Sequence, residues 1–113
     1  MKLSESILLG SMLRPQIRNA FVVPAGSCAL GAAGEALGFL ASRDLNPYLK
    51  QWPWVATRSV ECPVCRNGLI SVAVAIMELN DRHEWTRPQI AEWVAEIEVS
   101  DGPSAREAAA AVS

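Results

Sequence analysis

Cys62-Pro63-Val64-Cys65 sets two thiols three positions apart on a turn that Pro63 stiffens, with Gly68 close behind to accept a positive φ. This is the form of a zinc knuckle. A knuckle supplies half of a tetrahedral site, which needs two more soft or borderline ligands. The chain contains one further cysteine, Cys28, and a single histidine, His83. By exhaustion the expected ligand set is Cys28, Cys62, Cys65 and His83, with zinc as the metal. Three thiolates and a neutral imidazole would leave a divalent zinc with a net charge of about −1, which the positive end of a helix starting at Cys28 would ease.

Hydrophobic periodicity decides where these ligands sit. Ser4 is placed to cap a first helix through Ile7, Leu8, Met12 and Leu13, with Leu3 stapled onto Leu8, ending before Pro15. Residues 14–26, with two prolines and the run Phe21-Val22-Val23, read as an extended connector able to pair as a short strand. Ser27 can cap a helix to about Ala41 on which Leu30, Ala33, Leu37 and Leu40 recur at helical spacing, and Cys28 falls in its first turn. Gly31, Gly34 and Gly38 each cost this helix roughly 1 kcal/mol against Ala, so it should depend on close packing against a neighbour.

Pro47, Tyr48, Trp52, Pro53 and Trp54 suggest one helical turn after Asn46-Pro47 and then an irregular aromatic segment, which belongs in the core rather than on an exposed patch. From Gly68 to about Arg82 the run LISVAVAIMELNDR suits a buried helix; a strand over 69–76 competes with it through Val72, Val74 and Ile76. Thr86-Arg87-Pro88-Gln89 is a capping-box pattern, and Trp85 can staple onto Ile90. Ile90, Trp93, Val94 and Ile97 then face inward while Glu92, Glu96 and Glu98 face out, to an end near Val99. The expected fold is mainly α: a compact, zinc-stabilised bundle of about four helices with at most a short β-pair. Residues 1–99 form its single domain and 100–113 a flexible tail.

Composition narrows function more by exclusion than by pointing. With 12 acidic against 10 basic side chains, a net charge of −2 and a pI near 5.3, the chain has no general attraction to phosphate backbones or anionic lipid. Residues 1–66 carry 7 basic and 4 acidic groups and residues 67–113 carry 3 and 8, so the C-terminal part is the acidic end. No apolar run approaches the roughly 20 residues of a spanning helix. Glu5 and Ser6 interrupt the N-terminus where a signal peptide would need an apolar stretch. A cytoplasmic location is expected, and an odd number of cysteines suits a reducing compartment better than a disulfide framework.

Other chemistries compete for the same residues. A metal could use only part of the set, completed by Asp81, Glu84 or a second chain, and a buried cysteine is commonly just a small hydrophobe. Cys62 and Cys65 could form a redox dithiol, but the segment before them lacks the parallel-sheet context such motifs occupy. Cys28, after Gly26-Ser27 at a helix N-terminus, could be a hydrolase nucleophile with His83 as base and Asn80 or Asp81 as its orienting partner. The segment from Thr86 to Trp93 superficially resembles the first helix of a helix-turn-helix, but residues 95–104 are acidic and offer no basic recognition helix.

The combined pattern CALGAAGEALG, CPVC and LNDRHEWTRPQIAEWV, over about residues 1–98, resembles small bacterial and phage proteins of no known activity. The resemblance implies a phage or mobile-element origin and adds no catalytic residue. The expectation is a zinc-binding interaction or accessory module with a protein partner and no enzymatic activity. The sequence allows a homo-oligomer.

Overall fold

Leu3 and Ile7, one helical turn apart, are fully buried, and with Gly10 they define the inward face of α1 (Leu3–Gly10). The computed structural model describes residues 1–18, 22–23, 26–38 and 46–101. Along them follow β1 (Val22–Val23), β2 (Gly26–Ser27), α2 (Ala29–Ala36), α3 (Asn46–Gln51), α4 (Trp54–Thr57), β3 (Ser59–Glu61), β4 (Leu69–Ser71), α5 (Val72–Asp81) and α6 (Arg87–Asp101). The described residues are therefore mainly helical, as expected. They hold six helices, two of them very short, and two antiparallel strand pairs where one was anticipated. None of these helices is long and apolar enough to cross a membrane.

The first helix starts two residues earlier than its apolar pattern suggests. Lys2 is the N-cap, and its N–H donates to the Glu5 carboxylate at 3.1 Å. Ser4 lies inside the first turn, where its hydroxyl donates to Glu98 of α6, so Glu98 does not simply face out. A carboxylate there also complements the positive end of the α1 dipole. The expected Leu3–Leu8 staple does not form: with the inward stripe at positions 3, 7 and 10, Leu8 turns to solvent at 47% exposure. α1 packs chiefly on α2 and α6. At Gly10 the approach to α2 is so close that an added Cβ would run into the Ala32 carbonyl.

The connector pairs as anticipated. Val22 and Val23 oppose Ser27 and Gly26, while the Ile17 N–H bonds the Ser27 carbonyl at 3.0 Å and the Ser27 N–H bonds that of Pro15 at 2.9 Å; Phe21 lies outside the described residues. With Ser27 tied into this pairing, the N-cap of α2 falls on Cys28 instead. α2 also stops well short of Ala41. Gly38 adopts φ 78°, the left-handed conformation that ends helices, and 39–45 lie outside the described residues. The close packing expected of the α2 glycines is found at Gly34, where a Cβ would meet the Tyr48 hydroxyl.

Tyr48, Trp52 and Val55 are buried and Trp54 is packed against the core, so the aromatic segment is interior, as two short helices. The Trp52 indole donates to the Met1 carbonyl at 3.1 Å. The two readings of residues 69–81 each hold for part of the run. Leu69–Ser71 is strand, and Ser71 then caps α5 by accepting the Val74 N–H at 3.2 Å. At the start of α6 the capping box closes reciprocally, Thr86 N–H to Gln89 Oε1 at 2.8 Å and Gln89 N–H to Thr86 Oγ1 at 3.2 Å. Ile90, Ala91, Val94 and Ile97 face the core, Trp93 only partly, and the helix runs two residues past Val99. Residues 102–113, most of the expected tail, lie outside the described residues.

Two buried polar side chains lock the connector to α5 and α6. Asn80 accepts from the Gln16 amide (2.8 Å) and the Ala29 N–H (3.2 Å), and donates to the Ile17 carbonyl and to Asp81 (both 2.8 Å). Arg87 donates to the Ser27 hydroxyl (2.9 Å) and to the carbonyls of Ser11 (3.2 Å) and Arg14 (2.5 Å). Networks as fully satisfied as these fix one arrangement of the chain, because each partner left unpaired would bear its desolvation cost.

Candidate metal centre

β3 and β4 pair Ser59 with Ser71, Val60 with Ile70 and Glu61 with Leu69, which leaves 62–68 as the hairpin loop. The loop turns tightly: the Arg66 N–H donates to the Cys62 carbonyl at 3.1 Å, and both Arg66 (φ 53°) and Gly68 (φ 99°) are left-handed. Gly68 supplies that conformation freely, as its position suggested; Arg66 adopts it against its Cβ. Cys62, the first residue after β3, is fully buried, and Cys65 is half-buried.

The knuckle also prepares its first thiol. Burial pushes the Cys62 pKa up, but the N–H groups of Cys65 and Val64 and the Cys65 thiol, all directed at its sulfur, outweigh that and hold it below the usual thiol value. Cys65 moves the other way, because it donates its hydrogen to Cys62 and is itself desolvated. Of the two, the buried sulfur is thus the one whose thiolate its surroundings favour, and the thiolate is the form that would bind a metal.

α5 leaves directly from β4 and packs back along both strands. A three-residue strand spans about 10 Å, and seven residues of helix rise about 10 Å. Two turns into α5 the chain has thus returned to the level of the knuckle, where it presents Glu78. The Glu78 carbonyl accepts the Arg82 and His83 N–H groups (2.8 and 3.1 Å), ending the helix and placing the His83 ring on the same side. Glu84 then turns left-handed (φ 57°), and the Trp85 N–H reaches back to the Leu79 carbonyl at 3.0 Å.

One ligand atom from each of Cys62, Cys65, Glu78 and His83 lies within 4.8 Å of the other three. Bonds of roughly 2.0–2.3 Å to a tetrahedral zinc would give ligand–ligand edges of about 3.3–3.8 Å, so a slight contraction closes the set on an ion. The Cys65 thiol already approaches Glu78 Oε2 at 3.9 Å, while Glu78 Oε1 faces Arg82 at 3.8 Å. Most telling is His83, whose Nε2 is buried without a hydrogen-bond partner. Two thiolates, an imidazole and a carboxylate suit a borderline divalent ion.

Three of the four residues expected from the sequence are thus brought together, and Cys28 is not among them. It sits at the N-cap of α2, where its sulfur accepts the Gly31 N–H at 3.3 Å. Burial raises its pKa despite that bond, which also argues against a nucleophilic role. Nor do the other carboxylates join: Asp81 accepts from Asn80, and the Glu84 side chain is 74% exposed beside Arg18. Glu78 was missed because in the sequence it stands out only as the residue that stops an apolar run; its placement depends on where β4 ends and α5 begins. No protein-family model, curated protein or solved structure matches the chain.

Proposed function

We propose that the chain is a small zinc-stapled interaction module of a reducing, cytoplasmic compartment, in which Cys62, Cys65, Glu78 and His83 hold the ion. The observation that carries this reading is the orphaned Nε2 of His83, buried beside two thiols and a carboxylate. An unpaired buried acceptor or donor costs about 1–3 kcal/mol, and a metal is the partner this donor set would select. Four protein ligands leave no open position for a substrate or an activated water, which favours a structural over a catalytic ion. The exposed apolar residues Leu8 and Leu9 of α1 and Met12 and Leu13 of the turn after it support a role in contact with another protein. A phage or mobile-element origin belongs to the same proposal and rests on the sequence resemblance alone.

Elemental analysis of protein purified without added zinc or chelator tests it. The expected result is one zinc per chain, lost in His83→Ala and Cys62→Ser and retained in Cys28→Ser. Metal-free wild type would overturn the reading; zinc lost in Cys28→Ser would return Cys28 to the ligand set at the expense of Glu78.

A further inference from the structure

Trp85, Gln89, Glu92, Trp93 and Glu96 line an open groove on the flank of α6. Their spacing of three or four residues puts them on one helical face, with Trp85 at the entry to the helix and Trp93 two turns along. The groove has a volume of about 250 Å³. Pockets for drug-sized ligands run from about 300 to 1,000 Å³, so this one has room for a single long side chain rather than a cofactor. Both indoles are packed against the core on one side, which fixes them as rigid walls. Glu92 and Glu96 are exposed, and among the described residues neither carboxylate is paired.

Rigid indole faces beside unpaired carboxylates attract a cation with an apolar stem: the ring quadrupoles and the two negative charges act on the head, and the walls cover the methylenes. We propose that this groove docks an arginine or lysine side chain presented by an exposed segment of a partner protein. This rests on the interaction reading above and names the partner's chemistry. The loop that carries His83 also carries Trp85, so an ion holding His83 fixes one wall of the groove.

The test follows the indole N–H resonances of the full chain while capped Ala-Ala-Arg-Ala-Ala, its lysine counterpart and its citrulline counterpart are titrated. The Trp85 and Trp93 signals should move with arginine and lysine and those of Trp52 and Trp54 should not, with the neutral citrulline peptide binding roughly fivefold more weakly or worse. E92Q/E96Q should weaken the cationic peptides by roughly fivefold without lowering the melting temperature, since both side chains are exposed and unpaired. Equal response to citrulline, or none to any peptide, overturns the proposal. So does movement of the Trp85 and Trp93 signals in the free protein on R106Q, which would assign the groove to the chain's own C-terminal segment, or on dilution, which would assign it to a second copy. Metal content is measured on the same samples: one zinc without a peptide response sinks only the docking, and a peptide response without metal sinks only the zinc.

Discussion

Cys28 and the Cys62–Cys65 pair are the same functional group placed in two regions held together by different means. Around Cys28 the backbone closes on itself: the thiol caps α2, the Asn80 and Arg87 networks satisfy the connector, and α1 meets α2 at backbone distance over Gly10, with Ser6 Oγ and Glu35 Oε1 the buried oxygens left unpaired there. Around the knuckle it does not. The β3–β4 hairpin is three residues per strand, Leu69 is 74% exposed, and the half-buried His83 keeps a buried Nε2 unanswered. A short two-stranded hairpin is marginal in water unless something else holds it. The difference teaches that the same thiol acts as a helix cap where backbone and side chains surround it, and is left free for a ligand's role where a short hairpin gathers it with Glu78 and His83.

Stripping the metal is the strongest way to break the comparison. Zinc bound at such sites contributes about 10–16 kcal/mol in small peptides. Even a third of that would raise amide exchange across residues 59–71 and 82–86 by roughly a few hundredfold to several thousandfold. Chelation or Cys62→Ser should therefore expose the hairpin and the His83 loop while α1 and α2 keep their protection. Uniform exchange across both regions would show that they are not held separately. The converse variant is Arg87→Ala, which strands the Ser27 hydroxyl and the carbonyls of Ser11 and Arg14. It should cost about 3 kcal/mol or more in thermal or denaturant unfolding, with zinc content unchanged when the variant is assayed folded.

Much of this division was legible in the residues themselves. The CPVC knuckle, its left-handed glycine, the capping box at Thr86 and the inward stripe of α6 all depend on neighbours within a few positions, so local chemistry determines them. The fourth member of the cluster was not legible. Counting soft donors favours Cys28, whereas the residue that the fold gathers with Cys62, Cys65 and His83 is Glu78, because a helix leaving β4 at Ser71 comes level with the knuckle two turns on and α2 does not join the cluster. The helix borders failed for similar reasons. Ser4 was drawn away from capping by Glu98, 94 residues distant, and Ser27 by its pairing with Pro15 and Ile17. Where a polar side chain has two physically reasonable partners, only the tertiary structure chooses.

Cys28→Ser sharpens the comparison with a smaller effect. Serine can still accept the Gly31 N–H, but it buries a hydroxyl where a weakly polar thiol sat, and the two changes should nearly offset to a loss of about 1 kcal/mol or less. The melting temperature would move by a few degrees, and zinc would stay. A collapse of the fold together with loss of metal would make Cys28 a ligand after all.

Alkaline titration gives the smallest effect and separates the two regions by sign. Burial raises the Cys28 pKa above 9.0, and burial together with the neighbouring Cys28 and Glu35 pushes Tyr48 up to about 12. Both groups are neutral when protonated, so above their unfolded pKa values the unfolded chain binds fewer protons than the folded one. Their contribution is complete below pH 9 and fades as pH rises through the folded values, the Tyr48 part by about pH 12. Cys28→Ala should flatten the early part of this decline, measured as unfolding free energy against pH. Metal-bound thiolates behave in the opposite way: they have already lost their protons, so a higher pH cannot weaken them through ionisation, and falling pH does. The region around Cys28 should therefore loosen first on the alkaline side and the knuckle first on the acid side, and exchange measured at the two extremes would show the two halves opening in reverse order.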